Sequence, residues 1–307
     1  MATYNVRHVT TYTYEEAVPV CHNVAHLLPR AAARHAWNFS DVEIQPSPAV
    51  RTERVDYFGN RLVFFAIQEP HLELEVIARG QVTVAPFEGL PASRATWEEA
   101  RDMCATRSAE LLEEMQFTFE SPFVHWTEEV ATYGRESFSA GRPLLEAVLD
   151  LTQRIHKDFA YDPKTTTVTT TLPEVMKARA GVCQDFAHLE IGCLRSLGLA
   201  ARYVSGYLLT TPPPGKPRLV GADASHAWVS VWVPGTGGEA GGWLDLDPTN
   251  NLVPSDKHIT VAYGRDFGDV SPLRGVILGG GRHKIDVSVD VAPVEGECIA
   301  NPQLPNF

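Results

Sequence analysis

The stretch Gly181-Val-Cys-Gln-Asp-Phe-Ala-His-Leu-Glu-Ile-Gly-Cys-Leu-Arg-Ser-Leu-Gly198 decides how this chain is read. Phe186, Leu189, Cys193 and Leu197 recur at spacings of three, four and four, so one apolar stripe runs down a helix from about Cys183 to Leu197. Gly198 ends it in the position where helices commonly close on glycine. Gly181 gives a flexible approach, and Cys183 then falls on the first turn. There the unpaired N–H groups and the helix dipole stabilise a thiolate and can donate to an oxyanion. Cys193, in mid-stripe, reads as an ordinary buried thiol.

Two segments downstream carry the partners such a thiol needs. Ala227, Val229, Val231 and Val233 alternate with His226, Trp228, Ser230 and Trp232, the pattern of a strand with one aliphatic face. Imidazole is the side chain best matched to base work near neutral pH. Pro234–Gly242 is glycine-rich and reads as a hairpin loop, which pairs Trp243–Asp247 antiparallel with the His226 strand. Asp245 and Asp247 share a face, and either could orient the imidazole. Symmetric pairing leaves Asp247 about three positions short of His226, so a bulge or register shift is expected. Pro248 then ends the strand, since it has no N–H for the ladder. A helix-start thiol with a paired-strand His and Asp is the nucleophile, base and orienter of triad enzymes.

Outward from this centre the chain changes character twice. The first 90 or so residues are β-rich: Tyr4–Tyr14 is dense in β-branched and aromatic residues, and Tyr57–Arg61 is a turn leading into apolar Leu62–Ile67. His71–Val84 alternates, and these strands together suggest a sandwich-like module. From Trp97 to Phe159 the pattern is helical, with Leu144, Val148, Leu151 and Ile155 on one stripe. Thr165–Thr171 is irregular or extended, and Leu172-Pro173-Glu174 opens a short helix. After a turn at Gly279–Gly281, Ile285, Val287, Val289 and Val291 line one face of a strand. The class is α+β, divided into a β-rich domain over 1–95 and a segment over 96–307 holding the helices, the core and the C-terminal strands.

Composition excludes several function classes. Hydrophobic residues make up 44% and charged residues 21%, an ordinary globular balance. The net charge of −12 and the lack of a basic stripe argue against nucleic acid or a membrane surface as partner. Five cysteines (Cys21, Cys104, Cys183, Cys193 and Cys298) are odd in number and scattered, which suits a reducing compartment better than a disulfide framework. The start shows no apolar leader, and Leu62–Ile67 falls far short of the ~20 apolar residues that span a bilayer, so a cytoplasmic protein is expected. His22 and His26 sit at i, i+4 without a carboxylate partner, so no metal is expected, nor calcium, nor any other cofactor. Asp185 reads as a dipole partner of its helix, His188 as structural, and Arg265 with Asp266 as an internal ion pair or part of a cleft.

GVCQDFAHLEIGCLRSLGLAARYVSGYL, ASHAWVSVWVPG and GWLDLDPTNN together resemble the transglutaminase-like superfamily in its bacterial branch. HITVAYGRDFGDVSPLRGV is similar to the segment following the core in that branch, and the β-rich start resembles the bacterial N-terminal region. The resemblance implies a papain-like (transglutaminase-core) cysteine protease fold, its Cys helix packed on an antiparallel sheet, beside an N-terminal β-sandwich-like domain. It also implies Cys183 as nucleophile, His226 as base and acid, Asp247 as orienter, and a peptide or protein as substrate. The family includes transglutaminases, peptidases, amidases and peptide-deglycosylating enzymes.

Here the 234–242 loop is long for the motif, Asp245 adds a second carboxylate, and no glutamine precedes Cys183 where papain-type enzymes carry their oxyanion donor. Tyr161, in Phe-Ala-Tyr-Asp-Pro, is the candidate donor beside the Cys183 N–H, and Trp228 and Asp245 are candidates for the substrate cleft. The leading expectation is hydrolysis of peptide or amide bonds through a thioester. The alternatives are a protein-glutamine transglutaminase or amidase, and a catalytically idle binding module of the same fold.

Overall fold

A computed structural model of the chain describes residues 1–106, 108–210, 224–236 and 242–294. The alternating N-terminal segments form six strands: β1 (Ala2–Val18), β2 (Val20–Ala25), β3 (His35–Gln45), β4 (Val50–Val55), β5 (Arg61–Ile67) and β6 (His71–Val84). Four helices follow, α1 (Trp97–Ala105), α2 (Leu112–Met115), α3 (Glu128–Arg135) and α4 (Leu144–Asp158). Short β7 (Ala160–Tyr161), α5 (Leu172–Ala178) and β8 (Ala180–Gly181) lead into α6 (Cys183–Ser196). Then come β9 (Ala201–Leu208), β10 (Ala224–Val233), β11 (Gly242–Leu246), β12 (His258–Gly264), α7 (Phe267–Val270), β13 (Leu273–Leu278) and β14 (His283–Pro293). None of the described helices is long and apolar enough to cross a membrane.

Two four-stranded sheets, β14-β1-β6-β3 and β13-β2-β5-β4, face each other as a β-sandwich. Their inner faces share one core that includes Val18, Cys21, Val42, Phe65, Ile67 and Val76. Each sheet is completed by a strand from far along the chain. β14 runs antiparallel to β1 from Tyr4 opposite Pro293 to Tyr14 opposite His283, and β13 pairs with β2. The alternation expected for β14 holds, but only Val289 and Val291 are buried, while Ile285 and Val287 are about half exposed. The reason is positional: the Val289–Val291 end alone reaches the second core.

That second core lies between α6 and a third antiparallel sheet, β11-β10-β9-β12. Phe186 and Leu189 of α6 belong to it, as do Ala201, Tyr203, Ala227, Val229, Val231, Leu244 and Leu246 of the sheet. The stripe read from the sequence packs into this core, but α6 is buried all round from Asp185 to Arg195; it ends at Ser196 before Gly198, whose φ is +79°. This is the papain-like arrangement, with the cysteine helix laid on an antiparallel sheet. In β9, Gly206 stands opposite His226, and a Cβ there would collide with the Ile259 carbonyl and the Trp228 ring, so only glycine fits.

Candidate active site

Cys183 opens α6 and is partly exposed, whereas Cys21, Cys104 and Cys193 are buried free thiols; Cys298 lies outside the described residues. Gly181 serves by close packing more than by flexibility: the Asp185 side chain lies where its Cβ would be. Asp185 Oδ2 accepts from Val182 N at 2.8 Å and Thr166 Oγ1 at 2.6 Å, fastening the first turn to the Thr-rich loop. Burial raises the Asp185 carboxyl, and those two bonds work against it.

His226 and Asp247 come together without the expected bulge. The β10–β11 ladder runs unshifted from Val233 opposite Gly242 to Val229 opposite Leu246. Asp247 then leaves the strand and reaches diagonally, its Oδ2 2.8 Å from His226 Nε2. Part of the hairpin loop, 237–241, lies outside the described residues. Around the carboxylate the chain forms a clamp that no sequence pattern announced as such. Oδ1 accepts from Thr249 N at 2.9 Å and Asn250 N at 3.1 Å. Oδ2 also accepts from Asn250 Nδ2 at 2.8 Å and from His258 Nε2 at 3.0 Å. The Asx-type turn was available from Asp-Pro-Thr-Asn. His258 had no local signal, because β12 joins this sheet through β9 rather than through its sequence neighbours.

A carboxylate only accepts, so Nε2 carries the hydrogen on both rings. This leaves His226 Nδ1 as the nitrogen available to Cys183, which lies near enough to help raise the imidazole. Burial disfavours the His226 cation, but the Asp247 and Cys183 hydrogen bonds and charges outweigh it and raise its pKa to about 10. Burial likewise opposes the Asp247 anion, yet the donors from His226 and His258 hold it well below the usual carboxylate range. His226 Nε2, Asp247 Oδ2 and His258 Nε2 lie within 4.8 Å of one another and could in principle hold a cation; here they bond one another.

The other candidates are placed as follows. Tyr161 pairs with Gly181, two residues before Cys183, and is 58% exposed; burial and the Cys183 charge both raise its phenol. Trp228 is 0% exposed and packs beside the His226 and His258 rings, so it backs the site instead of lining an open cleft. Asp245 does not touch His226; it lines a cavity with Arg202 and Trp243. His188 accepts from Phe267 N at 3.1 Å, and burial lowers it to about 4. Arg265 pairs with Asp269 at 2.9 Å rather than Asp266, whose carboxylate takes the Phe123 and Gly268 N–H groups. His26 bonds the Ser271 carbonyl and faces Asp56 at 3.7 Å.

Known proteins resemble this chain in sequence and fold. Residues 4–83 match the family described as the bacterial transglutaminase-like N-terminal region, and residues 131–248 match the transglutaminase-like superfamily. The chain belongs to this superfamily, one of cysteine-dependent enzymes. An uncharacterized protein of Mycobacterium tuberculosis is 43% identical over 302 residues, covering 96% of this chain and 94% of its own. One of Mycobacterium leprae is 34% identical over 291 residues, covering 93% and 97%. A crystal structure from Cytophaga hutchinsonii, described as a "putative cysteine protease", shares the fold with a TM-score of 0.74 at 18% identity, over 99% of this chain and 94% of that one.

Proposed function

We propose that the chain is an acyl-transfer enzyme that hydrolyses peptide or amide bonds of a peptide or protein substrate through a thioester on Cys183. The observation carrying this is the arrangement in which Asp247 holds His226 Nε2 at 2.8 Å beside Cys183 at the start of α6. Cys183 Sγ, its proton passed to His226 Nδ1, attacks the carbonyl carbon. The oxyanion is met by the Cys183 backbone N–H at the helix end, with the Tyr161 hydroxyl as second donor. His226 returns the proton to the departing amine or ammonia. Water then attacks the thioester while His226 takes its proton, which releases a carboxylic acid and the free thiol. Asp247 keeps Nε2–H fixed throughout and stabilises the imidazolium.

The test is incubation of wild type and Cys183→Ala with a glutamine-containing peptide library, with and without a primary amine, read by mass spectrometry. Backbone cleavage or ammonia loss in the wild type and none in the variant is expected. Amine incorporation instead of hydrolysis would move the assignment to a transglutaminase. Activity retained by Cys183→Ala would refute the nucleophile, and a wild type inert to the whole library would favour an idle binding module.

A further inference from the structure

Away from Cys183, three arginines converge on the junction between the N-terminal sandwich and the catalytic sheet. Arg30, Arg34, His35, Arg202, Trp243, Asp245 and Tyr263 are among the residues lining a cavity of about 330 Å³ there. Each guanidinium lies over an aromatic ring: Arg202 over Trp243 at 4.0 Å and Tyr263 at 3.8 Å, Arg30 over Tyr263 at 4.4 Å, Arg34 over Phe87 at 5.8 Å. The hydrogen bonds of Arg30 and Arg34 go to the Phe58, Ala31, Ala85 and Pro254 carbonyls and the Asn60 amide, none to a carboxylate.

Arg202 has neither a hydrogen bond nor an ion pair among the described residues, and its Nε is buried without a partner. His35 Nδ1, on the same wall, is also buried and unpartnered, and it carries a hydrogen to donate in the tautomer whose Nε2 accepts from Thr260 N at 3.2 Å. Aromatic faces stabilise a guanidinium from above and below but leave its in-plane N–H donors unused. A buried cation with idle donors is costly unless an anion completes it. Asp245 is the one carboxylate among the described residues of this wall; its charge reaches Arg202, but it makes no ion pair with any of the three arginines among the described residues. The adjoining cavity of about 400 Å³, which shares Arg30 and Arg202, adds Glu113 and Glu114 and so is not net positive. An anion therefore belongs on the Arg34–His35 side.

We infer that this junction is a binding site for a small oxyanion, a carboxylate or phosphate group received by the in-plane edge of Arg202 with Arg30 and Arg34 around it. The planar fork of arginine matches two oxygens of either group. Such a ligand would bridge the two halves of the molecule, since Arg30, Arg34 and His35 come from the β2–β3 region and Arg202 from β9. The inference is independent of the proposed chemistry, because binding is read without turnover.

The experiment titrates the full chain with inorganic phosphate and, separately, with acetate. Ionic strength is held constant with sodium chloride, and thermal unfolding and calorimetric heat are followed. A saturable rise in Tm with phosphate, acetate or both supports the site, and the anion that saturates assigns the source. Arg202→Gln should weaken that binding about tenfold or more, the scale of one charge-assisted pair. Arg34→Gln, on the loop between β2 and β3, should weaken it severalfold with its fold intact, so the test survives if Arg202→Gln fails to fold. No saturable response from the wild type, or equal affinity in wild type and folded variants, would overturn the inference.

Discussion

Asp247→Asn is the substitution that most sharply separates a tuned thiol–imidazole pair from a buried His–Asp contact. The carboxamide has the same shape, but the clamp dictates its orientation. Thr249 N and Asn250 N donate to Oδ1, so the amide oxygen must settle there and the NH₂ group must take the place of Oδ2. That NH₂ faces His226 Nε2, which becomes an acceptor, and the ring hydrogen moves to Nδ1, the nitrogen that should receive the thiol proton. The anion that outweighed burial is lost as well, so the His226 pKa falls from about 10 to its ordinary value or below. That drop is worth about 5 kcal/mol at ~1.4 kcal/mol per unit, part of it owed to Cys183. The thiol then has no base to take its proton, and help of that kind is worth roughly 100-fold or more in rate.

Iodoacetamide alkylation followed against pH, with Cys183→Ala subtracted as blank, reads this directly. The wild type should react readily at pH 6. Asp247→Asn should react on the order of 100-fold more slowly there. An unchanged rate at pH 6 would refute the coupling.

Three further outcomes follow from the same geometry. His258→Leu removes a buried charge-assisted donor from Asp247 and should cost ~1.5–3 kcal/mol, seen as a lower urea midpoint; an unmoved midpoint would show that His258 contributes nothing. Glu190 is fully buried and its carboxyl is pushed up to about 8 by burial, despite the Thr152 hydroxyl on Oε1. Its folded pKa exceeds the unfolded one, so wild-type stability falls as pH rises between the two values, and Glu190→Gln should be more stable at pH 7 by roughly 2–3 kcal/mol. Equal melting of the two proteins at pH 5 and pH 7 would contradict this. Gly206→Ala should abolish the soluble folded protein or lower its stability by more than ~3 kcal/mol, read by circular dichroism melting; a near-native melt would mean that β9 and Trp228 move apart easily.

How much of this was legible in the sequence depended on the range of each interaction. Local periodicity placed α6 within one residue at its C-terminus and placed the aliphatic face of β10, even though both elements are buried on nearly every side, because their opposite faces meet chemically different neighbours. The diagonal reach of Asp247 could not be read, since it follows from where the hairpin closes, and closing at Val233–Gly242 rather than one residue later removes the need for a bulge. Arg265 invited pairing with the adjacent Asp266, yet residues one apart on a turn point away from each other, and Asp269 at i+4 took the guanidinium. His258, Arg202 and the pairing of β13 and β14 with β2 and β1 depend on which distant strands become neighbours. Nothing in a local window carries that information.

The pairing of β14 with β1 also sets a timetable for synthesis. A chain made from its N-terminus has β1, β3 and β6 outside the ribosome long before residues 283–293 exist, so the outer edge of β1 must wait unpaired. β2 waits in the same way for β13. During that interval the nascent sandwich offers two open strand edges to any other extended chain, and factors that shield extended segments would have their greatest effect on yield then. Chains cut short before β14 would keep that exposure permanently.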